Sequence, residues 1–223
     1  MADAVIFDCD GVLINSEVIY LRVALAYLGE LGLTYDPHAY ADRFLGASVA
    51  DFTGGLNDDH HHKFGRPLPE DFDADLSRRI WTEMEDHVAA TAGIRDVLDA
   101  LDMPKAIASG SSPEGLERAL RKVELFDSFA PHIYSAHIVA RGKPAPDIYL
   151  HAAREINVSP ARRVAVEDSA NGAASAYAAG MTVIGFTGGG HCPPHQAERL
   201  RAAGAVEVIA HMDDLLAAIG RAA

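Results

Sequence analysis

Short apolar runs that end in polar residues recur along the chain, and segments with helical spacing separate them. The first run is Ala4-Val5-Ile6-Phe7, closed by Asp8. Others span 105–108 before Ser109, 163–166 before Glu167 and Asp168, 182–186 and 205–209. A brief apolar run with polar ends is the pattern of a strand buried on both faces, as in a parallel sheet. Helices are predicted over 113–122, 146–156, 170–179 and 194–203, with a last one over 212–219. Strands alternating with helices predict an α/β fold with a doubly wound, Rossmann-like parallel sheet.

One long stretch breaks the alternation. From about Glu17 to about Ala90 there are helix signals and no convincing strand. Val18, Leu21, Leu25 and Leu28 have helical spacing, and Asp36-Pro37 and Pro69-Glu70 read as helix starts. The expected organisation is a core of residues 1–15 and 91–223 with a small α-helical cap, 16–90, inserted after the first strand. The alternative is that these helices only cover one face of the sheet.

The 223 residues are 49% hydrophobic and 23% charged, an ordinary globular balance. Such a chain can bury a core without disulfide or metal staples. The net charge of −13 argues against nucleic acid as a partner, since an acidic chain gains nothing from counterion release. An anionic ligand would need a local cation to reverse that field. Cys9 and Cys192 are the only cysteines, and Cys9 within its apolar run reads as a buried, reduced thiol. No apolar run approaches the ~20 residues that span a bilayer. No basic segment followed by an apolar one opens the chain. A cytoplasmic protein without a membrane partner is expected, as a monomer or small homo-oligomer.

In open parallel sheets, ligands bind beyond the carboxyl ends of the strands, and four predicted strand ends carry suggestive chemistry. In Asp8-Cys9-Asp10-Gly11, extended backbone lets Asp8 and Asp10 face one space. Two such carboxylates repel until a divalent cation or a proton relieves them, which divides them into a nucleophile and a proton carrier. A solvated acidic turn would share that pattern. Ser109-Gly110-Ser111 offers a hydroxyl and free amides ahead of a helix, an anion site, or else a plain N-cap at Ser111 or Ser112. Lys143, followed by Pro144 and Pro146, is a stiffly held ammonium or a solvated lysine before a helix. Glu167-Asp168 offers hard oxygen ligands for Mg²⁺, or acids at a positive helix start.

Those four segments, in that order, resemble the haloacid dehalogenase superfamily of phosphatases and phosphomutases. Asp8-x-Asp10-Gly11-Val12-Leu13 with Ser16-Glu17 is similar to its β-phosphoglucomutase-like branch, and the wider pattern to 6-phosphogluconate phosphatases. The resemblance implies a phosphoric monoester hydrolase acting on a small phosphorylated metabolite, a sugar or sugar-acid phosphate. It implies that Asp8 forms an aspartyl-phosphate and Asp10 is the acid and base. Ser109 and the Gly110 amide would hold phosphate oxygens, and Lys143 would neutralise them. Mg²⁺ would sit on Asp8, the Asp10 carbonyl and Asp168, with Glu167 nearby. Asp10 argues against dehalogenase chemistry, because phosphoester cleavage calls for that acid.

The mutase type carries a His where Tyr20 stands and an Arg after Gly-x-Ser, where Val49 follows Gly46-Ala47-Ser48. Both departures favour hydrolysis over the alternative, a phosphosugar mutase; a non-catalytic binding module is a third reading. His60-His61-His62 reads as a polar face, and His191, Cys192 and His195 as an irregular loop more than a zinc site. Arg43, Lys63, Arg66, Arg78 and Arg79 are candidates to reach the cleft from the cap.

Overall fold

The computed structural model describes residues 2–44, 47 and 49–222, without the side chains of Val49 and Pro160. Strand β1 (Ala4–Phe7) opens the fold. Four helices follow: α1 (Ser16–Glu30), α2 (Pro37–Phe44), α3 (Val49–Phe64) and α4 (Phe72–His87). Next come α5 (Ile94–Ala100), β2 (Lys105–Ser109), α6 (Pro113–Lys122), the short α7 (Phe126–Phe129) and β3 (Ile133–Ser135). Helix α8 (Asp147–Glu155), β4 (Arg163–Glu167), α9 (Ala170–Ala178), β5 (Thr182–Phe186), α10 (Gln196–Ala202), β6 (Ala205–Ile209) and α11 (Leu215–Ala222) complete it.

The six strands form one parallel sheet in the order β3-β2-β1-β4-β5-β6. The chain leaves β1 in one direction to β2 and β3 and returns to its other side at β4. The crevice where strand order reverses therefore lies at the carboxyl end of β1. Phe7 is in register with Ile107 on β2 and Val166 on β4, so Asp8, Ser109 and Glu167 emerge from neighbouring strand ends.

Alternation along the strands divides the core. Val5 and Phe7 join Ile107, Val164 and Val166 in a cluster of large side chains that continues into α1 and α4. Ala4 and Ile6 face the other way, onto Ala152, Ala153, Ala173 and Ala176. Small residues there let α8 and α9 lie close against the sheet. Side-chain caps fix several helix starts. Ser112 Oγ accepts from the Gly115 amide at 3.2 Å, and Ser169 Oγ from the Gly172 amide at 3.0 Å. Asp36 Oδ1 accepts from the amides of His38 and Ala39 ahead of α2.

In the stretch 16–90, helices are the only regular elements among the described residues. Ile19, Val23, Ala24, Tyr27 and Leu28 bury one face of α1 against Phe72, Leu76 and Met84 of α4. The Tyr27 and Phe72 rings stack with centroids 5.4 Å apart. The two connections between this stretch and the rest run side by side: the Asn15 amide donates to the Ala89 carbonyl, and the Thr91 amide to that of Leu13.

Three elements had no sequence signal, one of them the four-residue α7. Strand β3 is a three-residue edge strand, too short to show a period, and α5 is only two turns. Helices α4 and α10 begin two residues after Pro69-Glu70 and Pro194, because those segments form a turn first: the Phe72 amide donates to Pro69 and the Gln196 amide to Pro193. Over 212–214 the chain forms a 3-10 turn before α11. Among the described residues, no helix is long and apolar enough to cross a membrane.

Candidate active site

The loop after β1 folds onto a single carbonyl. The Cys9 oxygen accepts from the amides of Val12, Leu13 and Ile14 at 3.3, 2.8 and 3.2 Å. Closing so tight a turn puts Gly11 at φ 78°, and a Cβ there would overlap Asp168 and lie 2.7 Å from His191 Cε1. Glycine is thus needed for conformation and for space. Cys9 is buried and unpaired, and burial pushes its thiol up, which keeps it protonated.

Asp10 is held by three hydroxyls. Ser16 Oγ donates to its Oδ1 at 2.6 Å, and Ser111 and Ser109 donate to its Oδ2 at 2.6 and 3.3 Å. The cap of α6 is Ser112, which frees Ser111 for Asp10. In the sequence Ser111 reads only as a backbone or capping position; its i+2 spacing from Ser109 is the signal for a side chain facing the same space.

Lys143 sits between two acids. Its Nζ lies 2.5 Å from Asp8 Oδ1 and 2.5 Å from Glu167 Oε1, with 12% of its side chain exposed. Burial alone would lower the lysine's pKa, but Asp8 and Glu167 outweigh it and hold the ammonium charged. Glu167 also accepts from Tyr149 Oη at 2.7 Å and Ser169 Oγ at 3.2 Å. Tyr149, missed in the sequence, is fully buried beneath the lysine.

Asp8, Glu167 and Asp168 bring ligand oxygens within 4.8 Å of one another. Burial pushes the Asp8 carboxyl well up against the pull of Lys143, and Glu167, Asp168 and Asp10 add to the rise. Asp168 is likewise raised, by burial first and then by Glu167. Crowded, dehydrated carboxylates with hard oxygen donors are the environment a divalent cation such as Mg²⁺ relieves, so this donor set fits that ion. Asp168 is itself fixed from a loop the sequence left unassigned. His191 Nε2 lies 2.9 Å from Asp168 Oδ2, and Gln196 donates to the Asp168 carbonyl.

Asp8, Asp10, Gly110, Lys143 and Asp168 line one cavity of about 650 Å³. Ser109 and Glu167 stand behind that wall, both fully buried, and touch it through Asp10 and Lys143. A Cβ at Gly110 would meet nothing within 4 Å, so its backbone faces open space. Across the cavity stand Glu17 and Tyr20 of α1 and the aromatic rings of Tyr40, Phe44 and Phe52. Burial, then Asp168 and Asp10, push Glu17 up to about 8. The Tyr20 phenol is raised by burial and lies against Ser111, so it stays protonated.

The remaining candidates lie elsewhere. His60 is buried, its Nδ1 2.9 Å from the Arg66 carbonyl, while His61 and His62 are exposed. His191 points inward, whereas His195 is 4.0 Å from Asp42 on the surface, so the two do not share a metal. Among the described residues, Asp8, Glu167 and Asp168 form the one cluster with metal-ligand geometry. Gly46, Ser48 and the Val49 side chain lie outside the described residues.

The model of the haloacid dehalogenase-like hydrolases matches residues 2–180. The chain is 30% identical over 193 residues to 6-phosphogluconate phosphatase of Escherichia coli (strain K12), covering 86% of each protein. Its fold is similar to that of a conserved haloacid dehalogenase-like protein of unknown function from Agrobacterium tumefaciens (TM-score 0.91, 40% identity, 99% of each chain). It is also similar to a hydrolase of the same family from Deinococcus radiodurans, solved with bound phosphate and sodium (TM-score 0.82, 36% identity, 99% of this chain and 96% of that one). A match over most of the length, together with the acids and lysine gathered at the carboxyl end of β1, identifies the chain as a member of the haloacid dehalogenase-like hydrolases, in the branch that includes 6-phosphogluconate phosphatase.

Proposed function

We propose that the protein is a Mg²⁺-dependent phosphatase of small phosphorylated metabolites that transfers the phosphoryl group through Asp8. The observation that carries this reading is the contact of Lys143 with Asp8 at 2.5 Å beside Asp10 and Asp168, in a cavity sized for a small metabolite. Phosphoryl transfer needs positioning and charge stabilisation more than covalent chemistry, and these groups supply both.

In the proposed sequence a carboxylate oxygen of Asp8 attacks phosphorus and the ester oxygen departs with a proton from Asp10. Asp10 then takes a proton from water, whose oxygen attacks phosphorus, releasing inorganic phosphate and restoring Asp8. The three hydroxyls on Asp10 hold its carboxyl towards the leaving oxygen. Lys143 offsets charge at Asp8 and the transferred oxygens, and Gly110 presents open backbone to them. Asp8, Asp168 and the Asp10 carbonyl would hold Mg²⁺, with Glu167 nearby; when bound, the ion screens the carboxylates from the phosphate and polarises its oxygens. We assign residues 16–90 as a cap that closes over the substrate about the paired connections near Asn15 and Ala89, excluding bulk water.

Hydrolysis is preferred over a mutase because Tyr20, a phenol held protonated by burial, occupies the position where a mutase carries His. The relatives' names point to sugar and sugar-acid phosphates as the substrate class. The test is phosphate release with Mg²⁺ from a metabolite panel. Asp8→Asn is expected to abolish release while keeping the fold; retained turnover removes Asp8 as nucleophile.

A further inference from the structure

The two walls of the cavity differ in charge. The strand-end wall holds acids and Lys143, and that ammonium is already shared between Asp8 and Glu167. Among the described residues, the helical wall carries no lysine or arginine. Tyr40, Phe44 and Phe52 form one aromatic surface, with centroid separations of 5.0 Å for Tyr40–Phe44 and 5.5 Å for Phe44–Phe52. Leu21, Leu76 and Ile80 extend it, and its acidic members are Glu17 and Asp73.

The arginines and lysine of this region are engaged elsewhere. Arg22 pairs with Glu83, Arg43 with Asp59, Arg78 with Asp75 and Arg79 with Glu30, while Lys63 donates to the Gly32 carbonyl. Arg66 is exposed and outside the cavity lining. The positions outside the described residues are Met, Leu, Gly, Ser, Val, Pro and Ala, so none adds a cationic side chain. On the strand-end side, His191 is engaged with Asp168, and His137 stands exposed at the rim beside Ser111.

A second anionic group on a substrate, seated against this wall, would exchange its hydration for apolar carbon beside Asp73 and Glu17, neither of which can offset its charge. From this arrangement, which rests on the phosphatase reading, we propose that the leaving group is uncharged and presents an apolar face to the helical wall. The transferred phosphoryl is then the substrate's only anion. Bisphosphates and sugar-acid phosphates are discriminated against, although the similar Escherichia coli protein is named for a sugar-acid phosphate. The missing cation also fits hydrolysis better than a mutase, which must hold a bisphosphate.

Matched esters differing by one carboxylate test this: phenyl phosphate against 4-carboxyphenyl phosphate, and sorbitol 6-phosphate against 6-phosphogluconate. With Mg²⁺ at about pH 8, where an ordinary histidine is neutral, kcat/KM should fall by at least about tenfold on adding the carboxylate in each pair. Ser77→Arg, at an exposed lining position on α4, should recover at least about fivefold of that ratio by supplying the missing cation. Equal kcat/KM within the pairs, or preference for the acid, overturns the inference while leaving the phosphatase reading intact. An unchanged ratio in Ser77→Arg also counts against it. Calorimetric titration of Asp8→Asn with the same esters separates the two readings. Preferential binding of the uncharged esters without turnover in the native protein would sink phosphatase activity and keep the selectivity; equal binding would sink the selectivity.

Discussion

The strand-end wall and the helical wall of the cavity are built on opposite principles. At the strand ends, buried charges face inward and are tied to one another through Lys143, Glu167 and Asp8. In the helical stretch the arginines are paired away from the cavity, and the wall is mostly aromatic and aliphatic, with Glu17 and Asp73 its acids. A buried charge network is rigid because every member loses its partner if one moves. An apolar wall places no such demand on neighbouring residues and can change by single substitutions. Chemistry is therefore fixed by the sheet, and selectivity is left to the helices.

The comparison breaks most readily at Lys143. Replacing it in Lys143→Met leaves Asp8 and Glu167 buried without their cation, and should cost roughly 3–5 kcal/mol of stability in the metal-free protein. Phosphate release should fall by about 10²–10³-fold. Urea unfolding and steady-state assays measure both, and a variant as stable as the native protein would show that the network is not a unit.

Gly172→Ala tests the same wall from behind. Its Cβ would land on the Glu167 carboxylate, so that side chain or α9 must shift. A loss of about 1–3 kcal/mol in urea unfolding is expected from such overpacking. No change in the midpoint would mean that Glu167 relaxes freely.

The pH response sharpens the contrast further. Asp8, Asp168 and Glu17 all have pKa values raised by folding. The native state then holds protons that the unfolded chain has lost, so stability falls as pH rises from the ordinary carboxylate range through about 8, the value for Glu17. Differential scanning calorimetry should show the metal-free Tm dropping across that window. Mg²⁺ should restore it more at the alkaline end than at the acid end. A Tm insensitive to both would argue against a strained acidic cluster.

The smallest effect is expected at Arg43. Its pair with Asp59 is half exposed, its guanidinium lies over Phe44 at 4.7 Å, and it is not among the residues that line the cavity. Arg43→Ala should lose less than about 1 kcal/mol in thermal unfolding, with kcat/KM unchanged. A large rise in KM would place Arg43 in substrate binding.

Much of this was legible in local pattern. The apolar runs at 4–7, 105–108, 163–166, 182–186 and 205–209 all lie in strands of the sheet, because burial on both faces leaves few polar residues. The acids, Ser109 and Lys143 stood out as polar groups where those runs stop. Strand β3 and helices α5 and α7 were not visible, since none is long enough for a period. Tyr149, Ser111 and His191 were passed over for another reason. Each acts on a group distant in the chain: Tyr149 on Glu167, Ser111 on Asp10, His191 on Asp168. Beyond the i+2 spacing of Ser111 from Ser109, nothing in their own surroundings marks these roles.

The amino-acid order by itself determined where the longer strands and helices of the sheet lie, which residues sit at their strand ends, and how much charge the chain carries, since these follow from periodicity and composition over short windows. Only the tertiary structure decided that Lys143 bridges Asp8 and Glu167, that the helical stretch turns its arginines outward, and that His191 braces Asp168. Those outcomes depend on distances between segments far apart in the chain, set by strand order and by burial that no local window contains.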